Sequence, residues 1–385
     1  MKHLKNCPIC FSKTITFFFK IKNIPAITAI YFKKRKNAIN APRGDINFAI
    51  CNQCIFIFNK DYKQINYNKY YYNVSRTKAK IYNTYIDKLA SFFSKNLQIV
   101  GKKKILEIGH NDGYFLQKIL SLKKFKNSKF FAFDLNKYAN KKIHKVRVYL
   151  KNYSNFYSNK IKPDVLILRH TLEHISDPRN FFNNILFYKP KYIFIEVPHS
   201  NLILKKKFEF FNYEHCSYFN EKNLEYLLSQ YSYSIKSKNY FFKNENLVLF
   251  FEKSKNKNFI DLKLKKSNSL KINPKEFKNK FKKFKINSLK KIKNKNIIWG
   301  LNRGHTVMSL LKLNYKIMNY VIDNNTSING TYTSVLGNKV INLKQFKKLN
   351  FDPSIRLLTT NSIYLEEKRE QCKMLDIKNK VDKLI

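Results

Sequence analysis

The most constraining stretch of this sequence is Lys104-Ile105-Leu106-Glu107-Ile108-Gly109-His110-Asn111-Asp112-Gly113-Tyr114-Phe115-Leu116. An apolar run holding one acid leads into Gly-x-x-x-Gly, and aromatic and aliphatic residues then recur at helical spacing. The pattern predicts a buried β-strand, a tight turn and the start of a helix. Glycine in such a turn lets backbone approach a ligand where a Cβ would clash. A second apolar run, Phe130-Phe131-Ala132-Phe133-Asp134, also ends in an acid. In an open α/β sheet, ligands lie outside the carboxyl ends of the strands, and an acid there binds ribose hydroxyls. The two runs together point to a nucleoside-type cofactor. The turn is not Gly-x-Gly-x-x-Gly, so taken alone it reads equally well as a structural turn.

The alternation continues over residues 99–255, with strands predicted at 103–108, 129–134, 164–168, 192–196 and 246–252. This is the pattern of a mostly parallel sheet covered by helices on both faces. Asp164-Val165-Leu166-Ile167-Leu168-Arg169-His170 runs from a buried strand into a loop, and Asp177-Pro178 caps and opens the next helix. Glu196-Val197-Pro198-His199 ends another strand. Upstream, residues 61–98 form a linker and helix. The linker holds Tyr70-Tyr71-Tyr72 and Ser75, and Ile81, Tyr85, Leu89 and Phe92 share one helical face over 77–95. The tyrosines either line a pocket or pack an amphipathic face. Residues 256–290 are rich in Lys and Asn and read as a solvated helix or linker. Residues 291–385 restart an α/β pattern. Strands are expected at Ile297-Ile298-Trp299-Gly300, Tyr320–Asn324 and Leu357–Asn361, with a turn at Gly304 and a helix from Val307. This is a second Rossmann-type unit, with no repeat strong enough to prove duplication.

Residues 1–60 hold Cys7-Pro8-Ile9-Cys10 and Cys51-Asn52-Gln53-Cys54. Two residues between cysteines let both thiolates reach one metal, and two such pairs complete a tetrahedral all-cysteine site. Structural zinc, a redox dithiol and unliganded cysteines compete for these residues. Zinc fits best, since paired cysteines in a reducing cytoplasm serve as metal ligands more often than as disulfides. With four protein ligands no coordination position is left for catalysis, so the metal's task is to hold a small domain lacking its own core. Cys216 and Cys372 stand alone.

The charge of +51, from 76 basic and 25 acidic residues, suggests a polyanionic partner. The excess is nearly all Lys, dispersed along the chain, and it accompanies abundant Asn, Ile, Phe and Tyr. These residues share AT-rich codons, so coding bias accounts for them together, and nucleic acid is not the expected partner. A hydrophobic content of 44% marks a globular chain long enough for two or three domains. No secretory leader and no run of about twenty apolar residues is present, so a cytoplasmic protein without a membrane span is expected.

Taken together, these segments resemble the three-domain S-adenosylmethionine-dependent sugar C-methyltransferases, and the resemblance covers nearly the whole chain. Glu107-Ile108-Gly109-His110-Asn111-Asp112-Gly113 is similar to the family's Glu-Ile-Gly-x-Asn-Asp-Gly cofactor loop. Arg169-His170-Thr171-Leu172-Glu173-His174 and Glu196-Val197-Pro198 resemble two of its later strand ends. Trp299-Gly300, Gly304, Asp323 and Gly330 fall where its C-terminal domain carries a Gly-rich turn and an Asp-ended strand. The family's Tyr-His-Glu-His and following Ser-Tyr-Phe are matched at Glu214, His215, Ser217, Tyr218 and Phe219, with Asn212 and Tyr213 replacing the first Tyr and His.

The resemblance implies an α/β class I methyltransferase domain of Rossmann-like fold at 99–255. It also implies an N-terminal zinc-binding domain and a second, C-terminal Rossmann-like domain at 291–385. It implies S-adenosylmethionine held by Glu107, Gly109, Asn111, Gly113, Asp134, Leu135 and His170, and zinc held by Cys7, Cys10, Cys51 and Cys54. The expected substrate is a nucleotide-linked keto-deoxysugar, with lysines of the cleft binding its diphosphate. Carbon methylation needs a base beside a ketone and donors for the enolate. His215 is the candidate base or acid–base group, since imidazole titrates near neutrality. The bland reading of His215 is a turn cap. Glu214 would orient it, His174 and His170 would reach the cleft or pack the loop, and Asn212 would donate to the enolate or ketone oxygen. Because Asn212 and Tyr213 depart from the pattern, oxygen or nitrogen methylation of a surface-polysaccharide precursor is the first alternative. A basic zinc module that binds nucleic acid is the second.

Overall fold

The computed structural model describes residues 6–66, 79–98, 101–153, 155–254, 272–292 and 296–385. Tyr70-Tyr71-Tyr72, Ser75 and residues 256–271 lie outside them. Among the described residues the strands assemble into three sheets. The N-terminal part supplies β1 (Ile15–Pro25), β2 (Tyr31–Phe32), β3 (Arg43–Cys51) and β4 (Ile57–Asn59). Strands β1, β3 and β4 form an antiparallel meander, and Phe18, Ile21, Ile46, Phe48 and Ile57 bury one side of it.

The middle part supplies β5 (Lys104–Ile108), β6 (Lys129–Phe133), β7 (Val146–Tyr149), β8 (Val165–Arg169), β9 (Tyr192–Pro198), β10 (Ser217–Tyr218), β11 (Tyr233–Phe241) and β12 (Asn246–Lys253). Its seven-stranded sheet has the order β11-β12-β9-β8-β5-β6-β7. The run from β7 to β9 is parallel, and β12 enters antiparallel to β9. The chain order reverses beside β5, which places a crevice at the carboxyl ends of β5 and β8. Strands β8 and β9 are buried along their whole length, as their largely apolar runs require of a sheet covered on both faces. Helix Lys80–Asn96 covers one face through Tyr85, Ile86, Leu89, Ala90 and Phe93. Each such large side chain stabilises by about 1.5–3 kcal/mol. No side chain caps the start of this helix. Glu367, nearly three hundred residues on, accepts from the Lys80 and Ile81 N–H groups at 3.1 and 3.3 Å and satisfies them instead.

The C-terminal part supplies β13 (Ile297–Trp299), β14 (Tyr320–Ile322), β15 (Tyr332–Thr333), β16 (Lys339–Ile341), β17 (Leu357–Thr359) and β18 (Val381–Lys383). Five strands are parallel, β15 pairs antiparallel to β16, and β2 of the N-terminal part adds to the β15 edge. The meander is closed in turn by β10, which pairs with β4. The three parts therefore exchange strands.

Two local readings change. Gly304 is not at a turn: helix Leu301–Leu311 begins directly after Gly300, whose φ of 98° makes the turn. Gly304 lies inside that helix, where a Cβ would stand 3.0 Å from the Ile298 side chain, so its absence allows close packing of helix on strand. Residues 274–291 of the Lys-rich stretch form a helix that is more than a solvated tether. Phe277, Phe281 and Phe284 recur at helical spacing and meet Phe19 and Phe208, which anchors the helix on β1.

Candidate active site

Strand β5 leads directly into Gly109, whose φ of 80° suits glycine, and Gly113 follows with φ 71°. A Cβ on Gly109 would strike the Thr171 hydroxyl, and one on Gly113 would strike Ile143. Thr171 in turn donates to the Ile108 carbonyl at 2.9 Å, pinning the loop after β8 against the end of β5. Asp134, just past β6, accepts from the backbone N–H of Asn111 at 2.9 Å and of Asn136 at 2.8 Å. Its carboxylate thus holds the glycine turn and remains partly exposed at the crevice. Leu135 beside it is 53% exposed. His110 is buried and bonds the Asn140 carbonyl through Nε2 at 3.0 Å.

Behind this turn lies a buried charged cluster. Arg169, stacked 4.2 Å from the Phe115 ring centre, donates to Glu196 at 2.7 Å and stands 3.9 Å from Glu107. Burial pushes the Glu107 carboxyl up to about 8 against the pull of Arg169, and its Oε2 has no hydrogen-bond partner among the described residues. Glu196 also accepts from Asn246 at 2.8 Å. His170 sits between Glu173, at 3.1 Å, and Glu196, at 3.6 Å. For Glu173, burial raises the carboxyl, but the His170 bond and the charges of His170, His174 and His215 outweigh it and bring it to about 2.

The loop Phe208–Phe219 brings His215 over this cluster. His215 is half-buried, its ring edge-to-face with His174 at 5.1 Å. Glu173, His174 and His215 place ligand-type atoms within 4.8 Å of one another. The Asn212 side-chain carbonyl accepts from the His215 N–H at 2.9 Å, which shapes the turn and leaves the amide NH2 as its donor group. Glu214 does not face His215. Its carboxylate turns to Thr28, whose N–H and hydroxyl both donate to Oε1. The carbonyl of Glu214 contacts His174 Nδ1 at 3.1 Å. Tyr213 points away, its hydroxyl accepting from the Lys63 N–H at 2.8 Å and its ring packed on Gly44. A phenol therefore does fill part of this loop, but as a brace to the N-terminal meander.

The cysteine pairs converge. Cys7 and Cys54, and Cys10 and Cys51, have sulfurs 3.5 Å apart, and all four lie within 4.8 Å of one another. Tetrahedral zinc–thiolate geometry requires sulfurs roughly 3.8 Å apart. Both knuckles have one shape: Phe11 N–H bonds Cys7 O, Ile55 N–H bonds Cys51 O, and Phe11 and Ile55 take φ 60° and 58°. The Cys51 thiol is pushed down and the Cys54 thiol up, each chiefly through its hydrogen bond with Cys10. A divalent cation is the group this donor set fits.

A second cleft opens at the carboxyl ends of β13, β14 and β17, lined by Thr28, Gly300, Asp323, Thr359 and Lys368. Asp323 there accepts from the Leu301 and Asn325 N–H groups at 2.8 and 2.9 Å, repeating the arrangement at Asp134. Lys368 reaches beneath Gly300 and donates to Trp299 O at 2.5 Å and Thr359 Oγ1 at 2.8 Å. Burial lowers its amine to about 7, against Asp323 and Glu367. Thr28, which holds Glu214, lines the same cleft.

Residues 78–238, less than half of the chain, match the family described as a methyltransferase domain. Over these residues the chain carries a methyltransferase domain. No curated protein matches it. Among solved structures, the chain is similar to the magnesium protoporphyrin IX methyltransferase ChlM from Synechocystis PCC 6803 with bound SAH. That match has 10% identity and a TM-score of 0.37, over 45% of this chain and 84% of that one. It is also similar to the plantazolicin methyltransferase BpumL in complex with a desmethylPZN analog and SAH. There the identity is 15% and the TM-score 0.36, over 46% of this chain and 87% of that one. In the methyltransferase, sequence reasoning did not find Thr28, Glu173 or Arg169. Thr28 lies 186 residues from Glu214, so no local pattern links the two. Arg169 did carry a signal, as a lone charge at the end of an apolar strand.

Proposed function

We propose that the methyltransferase moves a methyl group from S-adenosylmethionine to a carbon of a nucleotide-linked keto-deoxysugar. The observation that carries the reading is the placing of His215 and His174 against ionised Glu173, on the loop that Thr171 pins to the glycine turn. Carboxylates close to an imidazole favour its accepting a proton, as a base beside a ketone must. S-adenosylmethionine supplies a sulfonium methyl for in-line displacement. Asp134 would bind its ribose hydroxyls. Gly109, Asn111 and Gly113 would bring backbone close to its amino-acid end, and Glu107, Leu135 and His170 would border it. His215 takes the proton from the carbon beside the ketone, and the Asn212 amide donates to the oxygen as it becomes an enolate. The second cleft, with Asp323 at a strand end, a glycine turn and the Lys368 amine, supports a nucleotide at the other end of the substrate. Cys7, Cys10, Cys51 and Cys54 would hold zinc, whose part is to fix the knuckles under the loop that carries His215.

One observation favours a second reading. Tyr213 braces the N-terminal meander and Asn212 spends its carbonyl on the turn, so neither supplies an acid beside the acceptor. Methylation of a hydroxyl or amine asks mainly for alignment. The deciding experiment offers labelled S-adenosylmethionine with separate pools of nucleotide sugars, RNA, DNA and protein, then locates the label by mass spectrometry. Label on carbon of a nucleotide sugar supports the first reading, and label on oxygen or nitrogen the second. Label confined to nucleic acid or protein overturns both. Deuterium wash-in beside the ketone without methyl donor is expected only for carbon transfer.

A further inference from the structure

Helix Leu301–Leu311 buries His305 to 1% exposure. Its Nδ1 lies 2.7 Å from the Thr28 carbonyl oxygen and its Nε2 lies 2.9 Å from the Ser334 carbonyl oxygen. Carbonyl oxygens only accept. A neutral imidazole has one N–H, so it would turn a lone pair toward one of these oxygens, whereas the imidazolium satisfies both. A buried cation is costly unless an anion lies near. Thr28, whose carbonyl meets His305, also turns its N–H and hydroxyl onto Oε1 of Glu214, itself buried, so a single residue bridges the imidazole and a carboxyl group. Two donors on one carboxylate oxygen favour the ionised form.

We infer that His305 is a positioning residue: as an imidazolium it fixes Thr28, and Thr28 holds the Glu214 carboxylate ionised at the candidate active site. On balance burial lowers His305 and raises Glu214; the bonds to Thr28 and Ser334 oppose the first shift, and His174 and Thr28 oppose the second, so it is the two-acceptor geometry at His305 that assigns it the charged form. The charged and titratable groups around the pair are few. His174 acts on Glu214 from the loop after β8, and Tyr31 lies within reach of Glu214 and Asp323. Arg303, on the same helix as His305, is taken up by Glu245. The device joins all three parts of the chain, because Thr28 is N-terminal, Glu214 belongs to the middle part and His305 and Ser334 to the C-terminal part. Its bearing on catalysis rests on the role proposed for His215, whose loop Glu214 ties to Thr28, whereas the linkage itself does not.

The test uses the full zinc-loaded chain. Ring ¹⁵N resonances of His305, assigned with His305→Gln, are expected to show protons on both nitrogens at pH 7. Side-chain ¹³C resonances of Glu214, assigned with Glu214→Gln, are expected to show an ionised carboxylate. In His305→Gln and in the smaller His305→Asn, the Glu214 titration should move up by about one unit, tenfold in proton affinity. Unchanged S-adenosylmethionine affinity by calorimetry shows that each variant is folded. An unprotonated His305 nitrogen at pH 7, or a Glu214 titration that neither folded variant moves, overturns the inference. A shifted titration together with undiminished methyl transfer by Glu214→Gln supports the linkage and removes only its bearing on catalysis.

Discussion

Glu107 shows how a single buried carboxyl can set a pH dependence. Its folded pKa of about 8 lies above the ordinary 4.5, so the folded chain binds this proton more tightly than the unfolded chain. The stability it contributes is complete below pH 4.5 and is lost as pH rises toward 8. Glu107→Gln removes that slope. Its melting temperature should gain on wild type across this range, and a constant difference would show that Glu107 is already ionised at low pH. Glu173 has the opposite sign: its contribution is present above pH 4.5 and lost as pH falls toward 2. Asp134 carries a different expectation, because it binds the glycine turn as well as the proposed ribose. Asp134→Ala should weaken S-adenosylmethionine binding by ~10-fold or more, the worth of one or two hydrogen bonds to a charged group. Unchanged affinity in calorimetry would remove the ribose assignment. That acid was legible in the sequence as the end of an apolar run. Its second task was not, because the Asn111 and Asn136 N–H groups reach it only once the turn has formed.

Among the elements, the two cysteine knuckles and the Phe-bearing helix make contrasting cases. The knuckles are local: spacing alone brings Cys7 to Cys10 and Cys51 to Cys54, and β1 and β3 pair to bring the two turns together. Cys51→Ser, or treatment with a strong chelator, should release one zinc per chain and lower the melting temperature. Full stability in a metal-free preparation would rule out a structural metal. Helix Pro274–Lys291 looks solvated by composition because Lys dominates it, yet three Phe residues at one face meet an aromatic group from β1 and the loop after β9. Phe277 is 1% exposed, so Phe277→Ala should cost about 3–5 kcal/mol in chemical denaturation. A loss near zero would mean that the helix does not hold the C-terminal part in place. Hydrophobic patterning marked β5, β6, β8, β9 and β12 because each is a mostly apolar run. It gave no sign of β7 or β11, whose burial is partial and mixed.

For the molecule as a whole, strand exchange makes the three parts one mechanical body. Strand β2 extends the C-terminal sheet, and Arg35, close after it in the chain, donates to Gly337 O at 3.1 Å and Asn319 at 2.7 Å. Strand β10 closes the N-terminal meander. Glu367 caps the first helix of the methyltransferase part. The Thr28 segment lines the second cleft and holds Glu214 on the loop that carries His215. Lys368→Met should weaken binding of UDP and TDP at pH 6 by ~10-fold or more while sparing S-adenosylmethionine. Equal weakening of both ligands would indicate global damage, and no weakening of either would place the nucleotide elsewhere.

The sequence by itself determined the strand–turn–helix at Lys104–Leu116, the acid at the end of the next strand, the cysteine spacing and the repeat of an α/β pattern at the C-terminus. These are local because a strand's side-chain period, a glycine's freedom and a two-residue ligand spacing all act within a few residues. Tertiary structure alone decided that Glu214 faces Thr28 and not His215, and that Tyr213 braces a distant meander. It also decided that Glu173 stays ionised among three histidines and that His305 meets two carbonyls from different parts of the chain. Those outcomes depend on burial and on partners far apart in sequence. Neither quantity exists until the chain has closed around them.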